Sequence, residues 1–189
     1  FLDPKWKGKM IMRDPRLGSG PAMLFAVVMR HEKVLDDEYF MRLGKQNPML
    51  GGMGDMEVVQ MVARGEYPIV FSSNLDSVYV PLMKEGAPLS VLSLKEGAVA
   101  QNGLIEMTKG APHPNAAKLF INWILSAEGQ TVWNKIQGTK SMRKDVPDFT
   151  PANVKIEPFK KLYPTSWEVS GKATEEVRDG VMEKFFGKR

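Results

Sequence analysis

An α/β domain with a mostly parallel sheet, followed by a helical C-terminal block, is the fold class this sequence predicts. Three observations predict it. Residues 8–95 alternate short apolar runs with amphipathic stretches at helical spacing, the pattern of successive βα units. Residues 113–189 keep helical spacing with no comparable strand-like run. Between the first strand and the first helix stands Gly18-Ser19-Gly20-Pro21, a turn suited to starting a helix. At 189 residues the chain is long enough for one large domain or two small ones, and 43% hydrophobic with 25% charged residues is a globular balance.

The elements follow in order. Asp3-Pro4 is a turn signal in an entry segment, and Gly8 to Met12 reads as a short buried strand, placed at 9–13. A helix is expected over 21–35. Asp36-Asp37-Glu38 opens a second, at 37–46, with acids where the helix dipole favours them. Asn47-Pro48 stops it. After the apolar pair Met49-Leu50 and the turn Gly51-Gly52-Met53-Gly54, a third helix runs from Asp55, its expected N-cap, to Arg64. Val58, Val59 and Val62 form its buried stripe and Gly65 closes it. Tyr67 to Phe71 is a continuous apolar run of the kind found in strands covered on both faces. A short helix at 76–84, a strand at 87–92 and an extended segment at 98–107 are expected next. The remaining helices are expected from His113 to Ile136, at 155–162 and at 171–186.

Composition narrows the chemistry. There are no cysteines, so disulfides, thiolate metal sites and cysteine nucleophiles are excluded. The net charge of +4 comes from 26 basic and 22 acidic residues spread along the chain, which does not make a nucleic-acid footprint. His31 and His113 are too few and too far apart for a zinc site. Ser19 has no histidine base at a recognised spacing, which leaves nucleophilic catalysis without support. No cofactor is expected.

Arg13 to Pro21 carries the main site expectation. Strand, glycine-rich turn and helix aim backbone N–H groups at an anion, and Arg13 and Arg16 flank the turn with charge-assisted donors. An ordinary βα connection with Ser19 as N-cap accounts for the same residues.

Several ordered motifs carry a family resemblance. They are Trp6-Lys7-Gly8-Lys9, Arg13-Asp14-Pro15, Gly18-Ser19-Gly20, Gly65-Glu66-Tyr67-Pro68-Ile69 and Lys84-Glu85-Gly86-Ala87-Pro88. Further on come Lys95-Glu96-Gly97, Lys109-Gly110-Ala111-Pro112-His113-Pro114, Ser126-Ala127-Glu128-Gly129-Gln130 and Ser141-Met142-Arg143-Lys144-Asp145-Val146. Together they resemble type 2 periplasmic solute-binding proteins of ABC importers, in the iron(III), phosphosugar and organic-anion branch. The resemblance implies a two-lobed protein that closes on a ligand by hinge motion. It assigns residues 1–8 to a crossing segment, 9–97 to a three-layer α/β/α lobe 2, 98–107 to a return hinge strand and 108–189 to the C-terminal helices of an incomplete lobe 1. The sequence is thus expected to be a C-terminal fragment, beginning at Phe1, that lacks the N-terminal part of lobe 1.

Within lobe 2 the ligand face is expected at the carboxyl ends of the strands. That selects Arg13 with Gly18, Ser19 and Gly20, then Gly52, then Ser72, Ser73 and Asn74. The resemblance turns the Arg13 turn from a plain connection into an anion cradle. Iron-binding members are similar to one another in a tyrosine pair after the strand occupied here by 67–72. This chain has Ser73, Asn74 and Leu75 there and Tyr79 alone beyond, so a small carboxylate or phosphorylated solute is preferred to iron(III). The expected partners are that solute, an ABC permease, and the missing part of lobe 1 or a second copy; the expected place is the periplasm. The alternative reading is an α/β phosphate-binding enzyme fragment using the Gly18-Ser19-Gly20 helix N-terminus.

Overall fold

Met10, Ile11 and Met12 lose all contact with water and form the centre of a parallel sheet, β1 (Met10–Arg13). The computed structural model describes residues 1–17, 20–52, 54–72, 74, 78–92, 94–100, 105–150, 152 and 161–188. On one side of β1 lies β2 (Met49–Gly51), with Ile11, Met12 and Arg13 opposite Met49, Leu50 and Gly51. On the other lies β3 (Ile69–Val70), with Met10 and Ile11 opposite Ile69 and Val70. The order is β2-β1-β3, all parallel.

Side chains on β1 alternate between two cores, as a period of two requires. Met10 and Met12 join the core built on α1 (Pro21–His31), while Ile11 packs with Val58 and Val59 of α3 (Asp55–Ala63). Helices therefore cover both faces, which is why β1 is an unbroken apolar run. This is a mixed α/β fold with parallel sheets, consistent with the periplasmic-binding-protein type.

Local chemistry explains the boundaries. Gly20 is the N-cap of α1 and Pro21 its first residue, where a missing N–H costs nothing. The helix ends at His31, four residues before the expected end, because Val34 and Leu35 both turn back to donate to the Met29 carbonyl. Before α2 (Asp37–Lys45), Asp36 accepts the Tyr39 N–H at 2.9 Å. At α3 the N-cap is Gly54, not Asp55, and the Glu57 carboxylate accepts the Gly54 N–H at 3.1 Å.

The chain divides into two compact units. One comprises Phe1–Gln101 with Glu157–Arg189, the other Asn102–Ile156. Phe1 stacks edge-on against Phe71 in the first unit, at 5.0 Å between centroids, so the entry segment packs there. Residues 87–92 form no strand, and Leu92 is exposed; the short helix before them is α4 (Val80–Lys84). β4 (Ala98–Ala100) falls at the start of the expected hinge strand, and residues 101–104 lie outside the described residues. Its partner is β5 (Leu162–Pro164), parallel to it, where the end of a helix was expected. Most of that expected helix lies outside the described residues.

The expected final helix is two: α7 (Trp167–Arg178) and α8 (Val181–Phe186), broken at Gly180 with φ 72°. Val169, Ala173, Met182 and Phe185 join the core of α1 and α2. Arg30 of α1 ties the group together. Its Nε donates to Asp37 at 2.6 Å, its Nη1 to Glu176, and its guanidinium lies 5.2 Å from the Phe185 ring centroid. The C-terminal helices expected as one block over 108–189 are thus parted after Ile156: α7 and α8 find apolar partners in the first unit.

In the second unit α5 (Pro114–Ile124) and α6 (Ala127–Gln137) form a helical hairpin. Ser126 caps α6 by accepting the Gly129 N–H at 3.1 Å. A side-chain network fixes the following loop: Thr139 donates to Asn134 Oδ1, and Ser141 to Gln130 Oε1. Leu119, Phe120 and Trp123 on α5, with Trp133 and Ile136 on α6, remain exposed, Leu119 to 73% and Ile136 to 70%.

Candidate functional site at the carboxyl ends of the strands

The order β2-β1-β3 places the topological reversal between β1 and β3, since the neighbours of β1 are reached over opposite faces. Small ligands of open parallel sheets bind outside the strand ends at such a point. The strands end here at Arg13, Gly51 and Val70.

Arg13 lies against the first turn of α1. A Cβ on Gly20 would fall 2.9 Å from Arg13 Cδ and 3.4 Å from Nε and Nη1, and Gly20 has φ 115°. Only glycine gives both the conformation and the space. A guanidinium beside a helix N-terminus combines two positive potentials, and an anion relieves both.

Asp55, the first residue of α3, comes to the same end of the sheet. It is 9% exposed, and its Oδ2 accepts a hydrogen bond from Asn74 Nδ2 at 2.7 Å. Burial pushes its carboxyl up from the ordinary 3.8, against the lowering effects of the Arg13 charge and the Asn74 hydrogen bond. Its Oδ1 is buried with no hydrogen-bond partner among the described residues. Beyond β3, Ser72 has φ 53°, a left-handed conformation that a non-glycine residue adopts at a cost.

The expected site residues are therefore brought together in part. Arg13 and Gly20 touch, and Arg13 acts on Asp55, which holds Asn74. Ser72 and Gly52 follow the neighbouring strand ends. Gly18, Ser19 and Ser73 lie outside the described residues. Gly52 is exposed, and a Cβ there meets nothing within 4 Å. The glycine that space demands is Gly51, where a Cβ would sit 2.8 Å from Val58 Cγ1.

Arg16 is not available as the second flanking cation. Its Nε and Nη2 each donate to Asp14 at 2.8 Å, and its Nη1 donates to the carbonyls of Gly187 and Lys188 at 2.9 and 3.0 Å. It fastens the turn after β1 to the end of α8. Tyr79, the lone tyrosine beyond β3, is buried and donates to the Leu89 carbonyl at 3.2 Å.

Asp55 is the residue that sequence reasoning missed. An acid at a helix start is ordinarily a solvent-facing cap, and its burial follows from where α3 lands against β1 and Asn74. A carboxyl held above its ordinary value adds stability below pH 3.8 that is lost as the pH rises through its folded value. Asp55→Asn removes that dependence. The stability of the variant relative to the parent is expected to rise with pH from 3.8 upward, read as denaturation midpoints over pH 3–7.

Residues 1–160 match the family described as bacterial extracellular solute-binding protein. A Haemophilus influenzae protein, described as uncharacterized, is 29% identical over 189 residues, which is 98% of this chain and 52% of the relative. The chain spans about half the length of this curated relative.

Proposed function

The chain belongs to the bacterial extracellular solute-binding protein family, and from that premise we propose that it serves an ABC importer as the component that receives a small anionic solute. Family membership gives an extracytoplasmic solute-binding role with a membrane transporter as partner. The periplasm, the ABC permease and the anionic nature of the solute are the finer reading. Among the described residues no helix is long and apolar enough to cross a membrane.

In this reading Arg13, Gly18, Ser19, Gly20, Gly52, Ser72, Ser73 and Asn74 face the solute from lobe 2, around residues 9–97. Lobe closure over it stabilises the closed form. The hinge of this reading runs through the two crossing segments, residues 1–8 and 98–107.

The observation that carries the reading is Arg13 held against Gly20 at the start of α1. Calorimetric titration with organic acids and phosphate monoesters tests it. Arg13→Ala is expected to weaken binding about 10- to 100-fold, the worth of a charge-assisted hydrogen bond. Unchanged affinity in that variant, or turnover of a phosphorylated compound that Ser19→Ala abolishes, overturns it.

A further inference from the structure

We propose that Arg16 and Gly187 are positioning residues for the solute site: they latch the turn after β1 to the end of α8 and hold it in the shape that receives the anion. The proposal rests on the reading of the strand-end face as the solute site. Its support is the number of bonds that meet at one short turn. The Asp14 N–H donates to the Gly51 carbonyl at 3.0 Å, and the Leu17 N–H to the Asp14 carbonyl at 3.2 Å. The Asp14 carboxylate accepts from the Arg16 N–H at 2.9 Å and from its Nε and Nη2 at 2.8 Å each. Nη1 reaches away from the turn and donates to the Gly187 and Lys188 carbonyls at 2.9 and 3.0 Å, 171 and 172 residues along the chain. The Arg16 and Asp14 side chains are only 13% and 7% exposed, so the pair escapes most of the screening that weakens surface ion pairs.

Gly187 aims the two carbonyls. It ends α8 with φ 81° and ψ 165°, a region that glycine alone enters without strain. Its N–H donates to the Glu183 carbonyl at 2.8 Å, so the chain turns while still anchored to the helix. The turn needs such an anchor, because Pro15–Leu17 is a single turn of 3₁₀ helix, too short to hold its own shape. The latch grips the chain between Arg13 and Gly20, the two sides of the anion site. A turn kept in its bound shape spares the solute the cost of ordering it. Freed until only about a tenth of the molecules keep that shape, it would bind about 10-fold more weakly.

The test compares the full parent chain with Arg16→Lys and Gly187→Ala. Lysine keeps the charge but has no planar fork to span Asp14 and the two carbonyls. Gly187→Ala keeps every charged group, and its Cβ meets nothing within 4 Å, so it acts through the backbone turn alone. In both variants the amides of Asp14, Arg16 and Leu17 are expected to exchange with deuterium about 10-fold faster, followed by NMR. Calorimetric titration with propionate, succinate, propyl phosphate and glycerol 3-phosphate should show about 10-fold weaker binding of those the parent binds. Saturation with the bound probe should return the exchange to near parent rates. Should Arg16→Lys not fold, Gly187→Ala gives both readouts by itself. Parent-like exchange in the variants, or faster exchange with parent-like affinity, overturns the latch and leaves the solute site standing. Full affinity in Arg16→Lys overturns it as well, since charge alone then suffices. Binding of none of the four probes by the parent overturns the solute site and this role with it.

Discussion

Gly44→Ala is expected to lower the stability of the first unit by about 3 kcal/mol or more, the upper range for forced overpacking. Gly44 lies within α2, where alanine is favoured over glycine by about 1 kcal/mol, so propensity predicts a gain. Packing reverses the sign. A Cβ at Gly44 would lie 1.9 Å from the backbone carbonyl oxygen of Phe185 and 3.0 Å from its carbon. A backbone carbonyl cannot swing aside as a side chain can, so α8 must move as a whole. That movement reaches the site, since the carbonyls of Gly187 and Lys188 hold Arg16, and Arg16 holds Asp14 just after β1. Thermal denaturation checks it, with a fall of about 6–12 °C expected. Gly171→Ala is the matched control. A Cβ there meets nothing within 4 Å, and the variant should gain about 0.5–1 kcal/mol. A Gly44→Ala protein as stable as its parent would refute the α2–α8 contact.

The second unit turns on Gly129. A Cβ there would lie 2.1 Å from the Trp123 carbonyl oxygen and 2.8 Å from Ile124 Cα, so glycine permits the tight passage from α5 into α6. Gly129→Ala is expected to cost about 3 kcal/mol or more and to open the hairpin. Ser126 would then lose the Gly129 N–H that it caps. Near-ultraviolet circular dichroism of Trp123 and Trp133 should collapse in the variant while the first unit keeps its melting transition. A parent-like tryptophan spectrum would count against the geometry at this turn.

How much was legible in the sequence depended on how far apart the deciding residues lie. The strand at Met10 to Arg13, the acidic opening of α2 and the Gly65 stop of α3 are written in neighbouring residues, and all formed where expected. The strand expected at 87–92 did not form. Its apolar run has no described strand beside it, and a strand exists only through its partner. β5 is the reverse case: Leu162-Tyr163-Pro164 has little strand character, and its pairing with β4 over more than sixty residues makes it one.

The site divides along the same line. Arg13 before a glycine-rich turn is a local pattern, and it lies at the carboxyl end of the sheet because strand ends and helix starts adjoin in any βα unit. Arg16 was indistinguishable from Arg13 in the sequence. The structure separates them, because the last helix brings two carbonyls to Arg16 and Gly20 leaves room for Arg13. The sequence by itself determined the α/β class, the first three helices and the family. Only the tertiary structure decided where the final helices pack, that Arg16 is tied to the carbonyls after α8 and that Asp55 is buried. Helical and strand periods show that a face is apolar but not which surface will cover it, and a buried charge is defined by neighbours distant in the chain.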